Sequence, residues 1–442
     1  MKGSSAGQEE GLVRAIGIRA LTLNIINMVV GGGIFVLPGL IAVQLGSAAI
    51  VAYLICSLAV ALVFLCFAET GTRITRSGGA YAYIEEAFGP FAGFMASMLL
   101  WFGWNVMSNA AIAAAMVEAI AIPFPLLAEP IPRAAFIIVM IGILAVVNVR
   151  GVQRGVRLFA VNTVIKLIPL CLLVIVGLGQ IEFSNLVISE WPSPEEAGVG
   201  ALLLFFAFAG AETALSSSGE IRDPQKTVPL GLLLGIVGIL LLYVGLQTVA
   251  QGVMGATLAS HTESPLAAVA ERVFGGWGGT MLLITAVLSI YATMSGDMLN
   301  TPRVLFASAR DGNLPRLLSR VHPRFRTPHV SIIIFASMIC ALALTGAFRP
   351  LAVVASGSIL LIYLGVSLAT IRLRLRDGKP GPGKFAVPGG YAIPILSCLV
   401  IGWLLLRLTW EEAAGLGMLC GAAALLYVAG ILVRRMARSS EK

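Results

Sequence analysis

Charged residues are scarce in this sequence. Asp, Glu, Lys and Arg make up 12% of its 442 residues, roughly half their share in soluble domains. Hydrophobic residues reach 58% and the mean hydropathy is +0.94, which excludes an ordinary soluble globule. Apolar runs of about 20 residues recur along the chain, each long enough to cross a bilayer. They predict an all-α integral membrane protein with twelve transmembrane helices, at about residues 19–45, 47–68, 91–120, 133–149, 158–178, 199–218, 230–251, 277–300, 329–346, 351–371, 391–408 and 413–433.

Histidine is almost absent, and cysteine follows no pattern. The three histidines lie in predicted loops, and the six cysteines lie within predicted spans without paired spacing. Neither set suggests a metal site, a disulfide framework or a nucleophile–base pair. We therefore expect no metal, no cofactor and no catalytic residue, which argues against an intramembrane enzyme. An ion channel is also disfavoured, because the sequence lacks repeated filter loops and rings of charge.

Basic residues are concentrated in alternate loops. The formal net charge of +8 invites a nucleic-acid partner, but most Lys and Arg residues fall on one side of the predicted helices, as the positive-inside rule expects. Acidic residues such as Glu182 and Glu190 occupy the opposite loops. This distribution predicts a multi-pass protein of the cytoplasmic membrane, with both termini cytoplasmic and no nucleic-acid partner. The first apolar run lacks a convincing signal-peptidase site, which predicts a retained helix.

The first apolar run is interrupted where an ordinary spanning helix would be regular. Gly31, Gly32 and Gly33 are consecutive, and Pro38 removes a further backbone donor. Irregular backbone at membrane depth is tolerated only against protein or a water-filled cavity. An unwound helix there exposes N–H groups at the positive end of the following half-helix, which suits a carboxylate. The alternative is a close helix–helix crossing that needs small residues.

The sixth run is interrupted at a corresponding depth. Its sequence turns small and polar at Gly210, and Glu212 follows directly. Interruptions at matching positions of two halves are the best sequence indication of a transporter's binding site. Glu212 can either hold a local backbone N–H or take part in proton movement, and the sequence favours neither.

Three further polar residues lie within apolar runs. Lys166 is the only lysine inside an apolar core, and an intramembrane charge indicates function ahead of a static ion pair. Asn105 can form a helix–helix hydrogen bond or contact substrate. Asp297 approaches the end of its run, where we expect a pair with Arg303 ahead of a gating role.

Five segments resemble signatures of the amino acid–polyamine–organocation transporter superfamily, and they are colinear from about residue 10 to 410. They are Val30-Gly-Gly-Gly-Ile-Phe-Val-Leu-Pro38, Ser77-Gly-Gly-Ala-Tyr-Ala-Tyr83, Gly210-Ala-Glu212, Pro224 with Pro229, and Ala309-Arg-Asp-Gly-Asn-Leu-Pro315. The resemblance implies a leucine-transporter-like fold, in which five helices and the next five form an inverted repeat and helices 1 and 6 are discontinuous. The implied divisions are a cytoplasmic tail at 1–13, a transport core at 14–371 with repeats at about 14–178 and 199–371, peripheral helices at 391–433, and a cytoplasmic tail at 434–442.

The resemblance also implies a substrate site. The substrate carboxylate is expected at the first break, against Val29, Val30, Gly31, Gly32 and Gly33. The ammonium is expected near carbonyls of the sixth-helix break, at Phe206, Ala207, Phe208, Ala209 and Gly210. Either Phe206 or Phe208 would shield the bound molecule. The sequence departs from many relatives at Gly32, where a serine is common.

The resemblance gives Lys166 a coupling role. Related permeases place a lysine in helix 5, near the position that sodium occupies in sodium-coupled relatives. Its ammonium is expected to bond carbonyls of the broken first helix and a hydroxyl such as that of Ser289. Glu212 is the third candidate for coupling.

These features together predict an amino-acid permease that works by alternating access. The expected substrates are small or medium neutral L-amino acids in a small, apolar pocket. Transport is expected to be sodium-independent, and either proton-coupled or an exchange. The alternative within the family is a permease for cationic amino acids or polyamines. The expected partners are the amino acid, lipid and protons; the sequence indicates no oligomeric state.

Overall fold

The computed structural model describes residues 16–75, 78–150, 155–215, 220–310, 314–345, 348–381 and 383–440. The predicted tail at 1–13 lies outside these residues, as do Ser77 and residues 311–313 of the signature segments and residues 441–442 of the second tail.

The described backbone is helical, and its only strand-like contact is one isolated bridge between Ile16 and Ile221. The α-helices are α1 Ile18–Val29, α2 Gly33–Leu45, α3 Ala49–Arg73, α4 Ala80–Phe88, α5 Pro90–Met98, α6 Met107–Ala121, α7 Pro130–Arg150, α8 Gly155–Gly177, α9 Pro194–Phe208, α10 Ala211–Ala214, α11 Pro224–Met254, α12 Pro265–Phe274, α13 Gly276–Asn300, α14 Pro302–Arg310, α15 His329–Thr345, α16 Phe348–Asp377, α17 Ala392–Leu405 and α18 Trp410–Ser440. A π-helical segment, Leu99–Val106, joins α5 to α6.

Nine helical stretches of the described residues are long and apolar enough to cross a membrane. They are Gly33–Arg73, Pro90–Ala121, Pro130–Arg150, Thr163–Gln180, Pro194–Ala214, Pro224–Ser260, Gly276–Arg310, Phe348–Asp377 and Trp410–Leu432. Three shorter apolar helices are α1, α15 and α17. Every predicted apolar run overlaps one or more of these helices, and the protein is a multi-pass membrane protein.

Both predicted interruptions are present. α1 ends at Val29 and α2 begins at Gly33, so three residues separate two short helices. Pro38 lies inside α2 without ending it, which shows that the glycines and not the proline determine the break. The sixth run breaks between Phe208 and Ala211, where α9 gives way to α10.

The broken helices lie at the centre of the molecule. α1 packs on α11, α10 and α8, while α2 packs on α9, and α13 packs on α8 and α6. In the stretch Pro194–Ala214, 89% of the apolar window is buried, against 11% in Trp410–Leu432. The chain therefore places its two irregular segments inside protein, where backbone that leaves the helix can find partners.

Candidate substrate site

A cavity of about 50 Å³ lies between the two helix breaks. A water molecule needs roughly 10–15 Å³ measured in this way, so the space is small. The wall contains backbone of both breaks and side chains from three neighbouring elements: Met28, Val29, Gly31, Gly32, Gly33, Trp104, Ser108, Ile112, Phe206, Ala207, Ala209, Gly210, Thr213, Thr293 and Asp297. Of the residues predicted at the breaks, Val30 and Phe208 are the two that do not line it. The predicted pocket is apolar, whereas this wall includes three hydroxyl side chains and a carboxyl.

The first break presents unpaired N–H groups. The N–H of Val30 donates to the Ile26 carbonyl at 2.9 Å, and that of Gly31 donates to the Val29 carbonyl at 2.7 Å. In the described structure the N–H groups of Gly32 and Gly33 donate to no carbonyl or side chain. They lie at the N-terminus of α2, where the helix dipole and free donors together favour an anion.

The same glycines also permit a close helix crossing. A Cβ atom at Gly32 would lie 2.9 Å from side-chain atoms of both Ile112 and Ile290, and one at Gly33 would lie 2.9 Å from the ring of Phe206. Real Cβ atoms essentially never approach so closely. The two interpretations of the glycine triplet are thus compatible, because tight packing of the break also brings its bare N–H groups to the cavity.

The second break depends on one left-handed glycine. Gly210 has φ of 124°, and a Cβ atom there would lie 2.7 Å from the Met28 carbonyl oxygen of the first break. Its N–H donates to Glu212 Oε2 at 3.0 Å, and Tyr363 donates its hydroxyl to the same oxygen at 2.5 Å. Glu212 Oε1 is buried and has no partner in the described part of the chain. The local backbone bond predicted for Glu212 is present, and its part in proton movement stays a prediction.

The two phenylalanines have different surroundings. Phe206 lines the cavity, with its ring centroid 5.7 Å from that of Trp104 and 5.3 Å from that of Phe348. Phe208 packs on Tyr53 and Tyr243 instead. Of the two candidates for shielding a bound molecule, only Phe206 lines the cavity.

Lys166 joins α8 to the first break. Its Nζ donates to the carbonyls of Asn27 and Val30, each at 2.6 Å, and the side chain is 1% exposed. No ion pair links it to another described residue. Ser289 is buried, but its hydroxyl has no hydrogen-bond partner among the described residues, so the expected bond from Lys166 is not formed. Val30 does not line the cavity, but its carbonyl accepts a hydrogen bond from Lys166.

For two polar residues the structure differs from the expectation drawn from the sequence. Asn105 donates to the Leu100 carbonyl of its own π-helical segment at 2.7 Å, because the wider π turn brings that carbonyl within reach. Among the described residues it bonds no other helix, and it does not line the cavity. Arg303, the partner expected for Asp297, donates to the Leu299 carbonyl one turn away. Asp297 instead accepts a 2.9 Å hydrogen bond from Asn109.

Tyr243 is a site residue that sequence reasoning missed. Its hydroxyl lies 3.0 Å from the Val29 carbonyl of the first break and 3.0 Å from the Ala207 carbonyl of the second. The available signal was a tyrosine within the apolar run of α11, since a buried tyrosine hydroxyl needs a partner. Asn109 was missed too, although an asparagine within a membrane span also needs hydrogen-bond partners.

Two broken helices that face one cavity, within a multi-pass helical protein, define a membrane transporter. The sequence profile of the family described as "Amino acid permease" matches residues 16–415, and the chain belongs to this family of the amino acid–polyamine–organocation superfamily. The chain is 28% identical to "Serine/threonine exchanger SteT" of Bacillus subtilis, over 97% of this chain and 99% of that protein.

Two further relatives extend the comparison. "Branched-chain amino acid permease BcaP" of Bacillus subtilis is 27% identical over 91% of this chain and 90% of its own length. "Large neutral amino acids transporter small subunit 2" of Mus musculus is 26% identical over 98% of this chain and 81% of its own length. The similarity therefore covers nearly the whole chain in bacterial and mammalian transporters.

Proposed function

We propose that this protein is a secondary active transporter of small or medium neutral L-amino acids in the cytoplasmic membrane, and that it works by alternating access. The observation that carries the proposal is the opposition of the two breaks across one cavity. The free N–H groups of Gly32 and Gly33 suit an α-carboxylate, and carbonyls of the second break suit an α-ammonium. The printed names of all three relatives point to neutral amino acids.

The transport cycle would use the family's twelve-helix arrangement. In this proposal residues 14–178 and 199–371 form the inverted repeats, 391–433 form peripheral helices, and both termini are cytoplasmic. A zwitterion that bridges the breaks has different contacts in the outward and inward packings, and this difference is what shifts a conformational equilibrium.

Coupling would use Lys166 in place of a sodium ion. Its ammonium ties α8 to the carbonyls of Asn27 and Val30, so loss of its proton would loosen the first break. Glu212, one of whose buried oxygens has no hydrogen-bond partner among the described residues, is a second candidate for proton movement, and Ser289 is a third coupling position. Either proton coupling or amino-acid exchange fits this arrangement, and neither needs sodium.

Counterflow in proteoliposomes tests the proposal. Vesicles preloaded with an unlabelled neutral amino acid should accumulate the labelled one transiently, which neither a channel nor an enzyme does. The amide of the same amino acid should compete far more weakly, because it lacks the carboxylate for the α2 N-terminus. Equal competition by the acid and its amide would contradict the site.

One observation favours the second candidate, a permease for cationic amino acids or polyamines. Asp297 lines the cavity, and a carboxylate there attracts cations. Including lysine, ornithine and putrescine as counterflow substrates separates the two candidates.

A further inference from the structure

Asp297 is held in the cavity wall by one of its two oxygens. Asn109, which is 0% exposed, donates through Nδ2 to Asp297 Oδ2 at 2.9 Å and to the Asn105 carbonyl at 2.7 Å. Oδ1 of Asp297 accepts no hydrogen bond from any described residue. The side chain is thus anchored by α6 while half of its acceptor capacity remains unused.

Among the described residues, no Lys or Arg forms an ion pair with this carboxyl. Arg303 donates to the Leu299 carbonyl, and Lys166 donates to carbonyls of the first break. The other nearby carboxyl, Glu212, bonds Gly210 and Tyr363. A half-buried carboxyl without a fixed counter-ion needs hydrogen-bond donors from another source.

Two neighbouring hydroxyls make this part of the wall rich in acceptors. Thr293 donates its hydroxyl to the Ser289 carbonyl at 3.0 Å, and Ser108 donates its hydroxyl to the Asn105 carbonyl at 3.4 Å. With their protons used within their own helices, both present lone pairs to the cavity. The cavity wall around Asp297 therefore presents hydrogen-bond acceptors, which suit a ligand that carries a donor.

We propose that Asp297 is a specificity residue that selects amino acids with a short side chain ending in a hydrogen-bond donor, a hydroxyl or an ammonium, over apolar side chains of equal size. This inference rests on the proposed function, since it assumes that the α-carboxylate and α-ammonium occupy the two breaks. The cavity of about 50 Å³ favours a short side chain. A branched or straight hydrocarbon of the same size would leave Oδ1 without a partner.

Matched ligand pairs test the proposal on the purified full-length protein. Serine is compared with 2-aminobutyrate and threonine with valine, because each pair differs by a hydroxyl in place of a methyl group. Apparent affinities come from thermal-shift titrations, and 2,3-diaminopropionate adds an ammonium in the same position. A hydrogen bond to a charged acceptor predicts that each hydroxyl ligand binds at least about tenfold more tightly than its apolar partner.

The variant Asp297→Asn should weaken this preference. Because Asn109 donates toward position 297, the new amide would turn its oxygen to Asn109 and its NH₂ group to the cavity. A ligand hydroxyl can then only accept a neutral hydrogen bond, so the ratio within each pair should fall, whereas 2,3-diaminopropionate, whose ammonium cannot accept, should lose most of its affinity. Arg303→Gln is the matched control, since this guanidinium does not contact Asp297, and it should keep the wild-type ratios.

The outcomes separate this inference from the proposed function. Equal binding within each pair by the wild-type protein overturns the inference without any variant, and so does a ratio that Asp297→Asn leaves unchanged. In either case binding of alanine to the wild-type protein would still uphold the proposed function. If no amino acid shifts the melting temperature or shows counterflow, the proposed function itself fails.

Discussion

Glu69 and Arg374 form a buried ion pair between α3 and α16, across 305 residues of sequence. Glu69 Oε1 accepts from Arg374 Nε at 2.8 Å and from Arg73 at 2.9 Å. Glu69 Oε2 accepts from Arg374 Nη2 and from the backbone N–H of Val387 at 2.8 Å. Glu69 is 0% exposed, and both of its carboxylate oxygens accept hydrogen bonds. The contact with Arg73 lies within one turn of α3, whereas the contact with Arg374 forms only because α3 packs on α16.

Removing this charge should destabilise the protein strongly. Glu69→Gln leaves Arg374 buried without a counter-ion, and breaking one partner of a buried pair costs on the order of 3–5 kcal/mol. We expect a large drop in the melting temperature of the purified protein. Glu86→Gln is the matched control, because Glu86 pairs with Arg376 at 3.1 Å on the surface, where such pairs contribute about 0–1 kcal/mol. Similar melting temperatures for the two variants would show that the buried pair is not needed for stability.

Gly32→Ala should abolish amino-acid binding. The added methyl group meets Ile112 and Ile290 at 2.9 Å, so the first break must shift and its N–H groups move with it. The thermal shift produced by amino acids is the measurement. Gly142→Ala in α7 adds the same methyl group where no atom lies within 4 Å, and it should bind normally. Normal binding by Gly32→Ala would remove the glycine triplet from the site.

Phe206→Ala should mainly reduce transport, whereas Phe208→Ala should mainly reduce stability. Phe206 lines the cavity, so its truncation should reduce counterflow more than it lowers the melting temperature. Phe208 is 0% exposed and packs on Tyr243, and loss of such a ring costs about 3–5 kcal/mol of stability. Its melting temperature should therefore fall further than that of Phe206→Ala. Wild-type counterflow by Phe206→Ala would exclude the aromatic shield.

Lys166→Met should impair translocation more than binding. The methionine keeps most of the side chain's length but withdraws the donor from the Asn27 and Val30 carbonyls, so α8 is no longer tied to the first break. We expect counterflow to fall at least about tenfold, since hydrogen bonds from a charged donor contribute about 1.5–3 kcal/mol each. Lys226→Met changes an exposed lysine on α11 and should transport normally.

The sodium dependence of counterflow is a second test of the role proposed for Lys166. If its ammonium stands in for a bound ion, replacing external sodium with choline should leave wild-type counterflow unchanged. A requirement for sodium would contradict this assignment, as would wild-type flux in Lys166→Met over a range of pH.

Local chemistry made the helix breaks predictable from sequence. Consecutive glycines disfavour a helix whatever surrounds them, and Gly210 occupies a backbone conformation that other residues rarely adopt. The helix bounds follow less closely: the apolar run predicted at about 230–251 belongs to α11, which begins at Pro224, where a missing N–H is harmless.

The partners of polar side chains were much harder to infer. Asp297 lies 188 residues from Asn109, and Tyr243 lies 214 residues from Val29. Neither spacing carries a local signal, because these contacts arise only when the helices are packed. Sequence reasoning chose Arg303 for Asp297 since it was the nearest opposite charge along the chain, whereas the fold brings α6 alongside instead.

Tyr243 has one hydroxyl proton and two carbonyl oxygens at the same distance of 3.0 Å. Only one of Val29 and Ala207 can receive that proton at any moment. The Val29 carbonyl also accepts from the Gly31 N–H at 2.7 Å, so among the described hydrogen bonds the Ala207 carbonyl is the one that depends on the phenol. Leaving a buried acceptor unmet costs about 1–3 kcal/mol. If the ammonium of a substrate binds at the second break, as proposed, it can donate to the Ala207 carbonyl and leave the phenol proton for Val29. Tyr243 would then favour binding of a zwitterion, because one phenol can serve both breaks fully only when the ligand supplies a further donor.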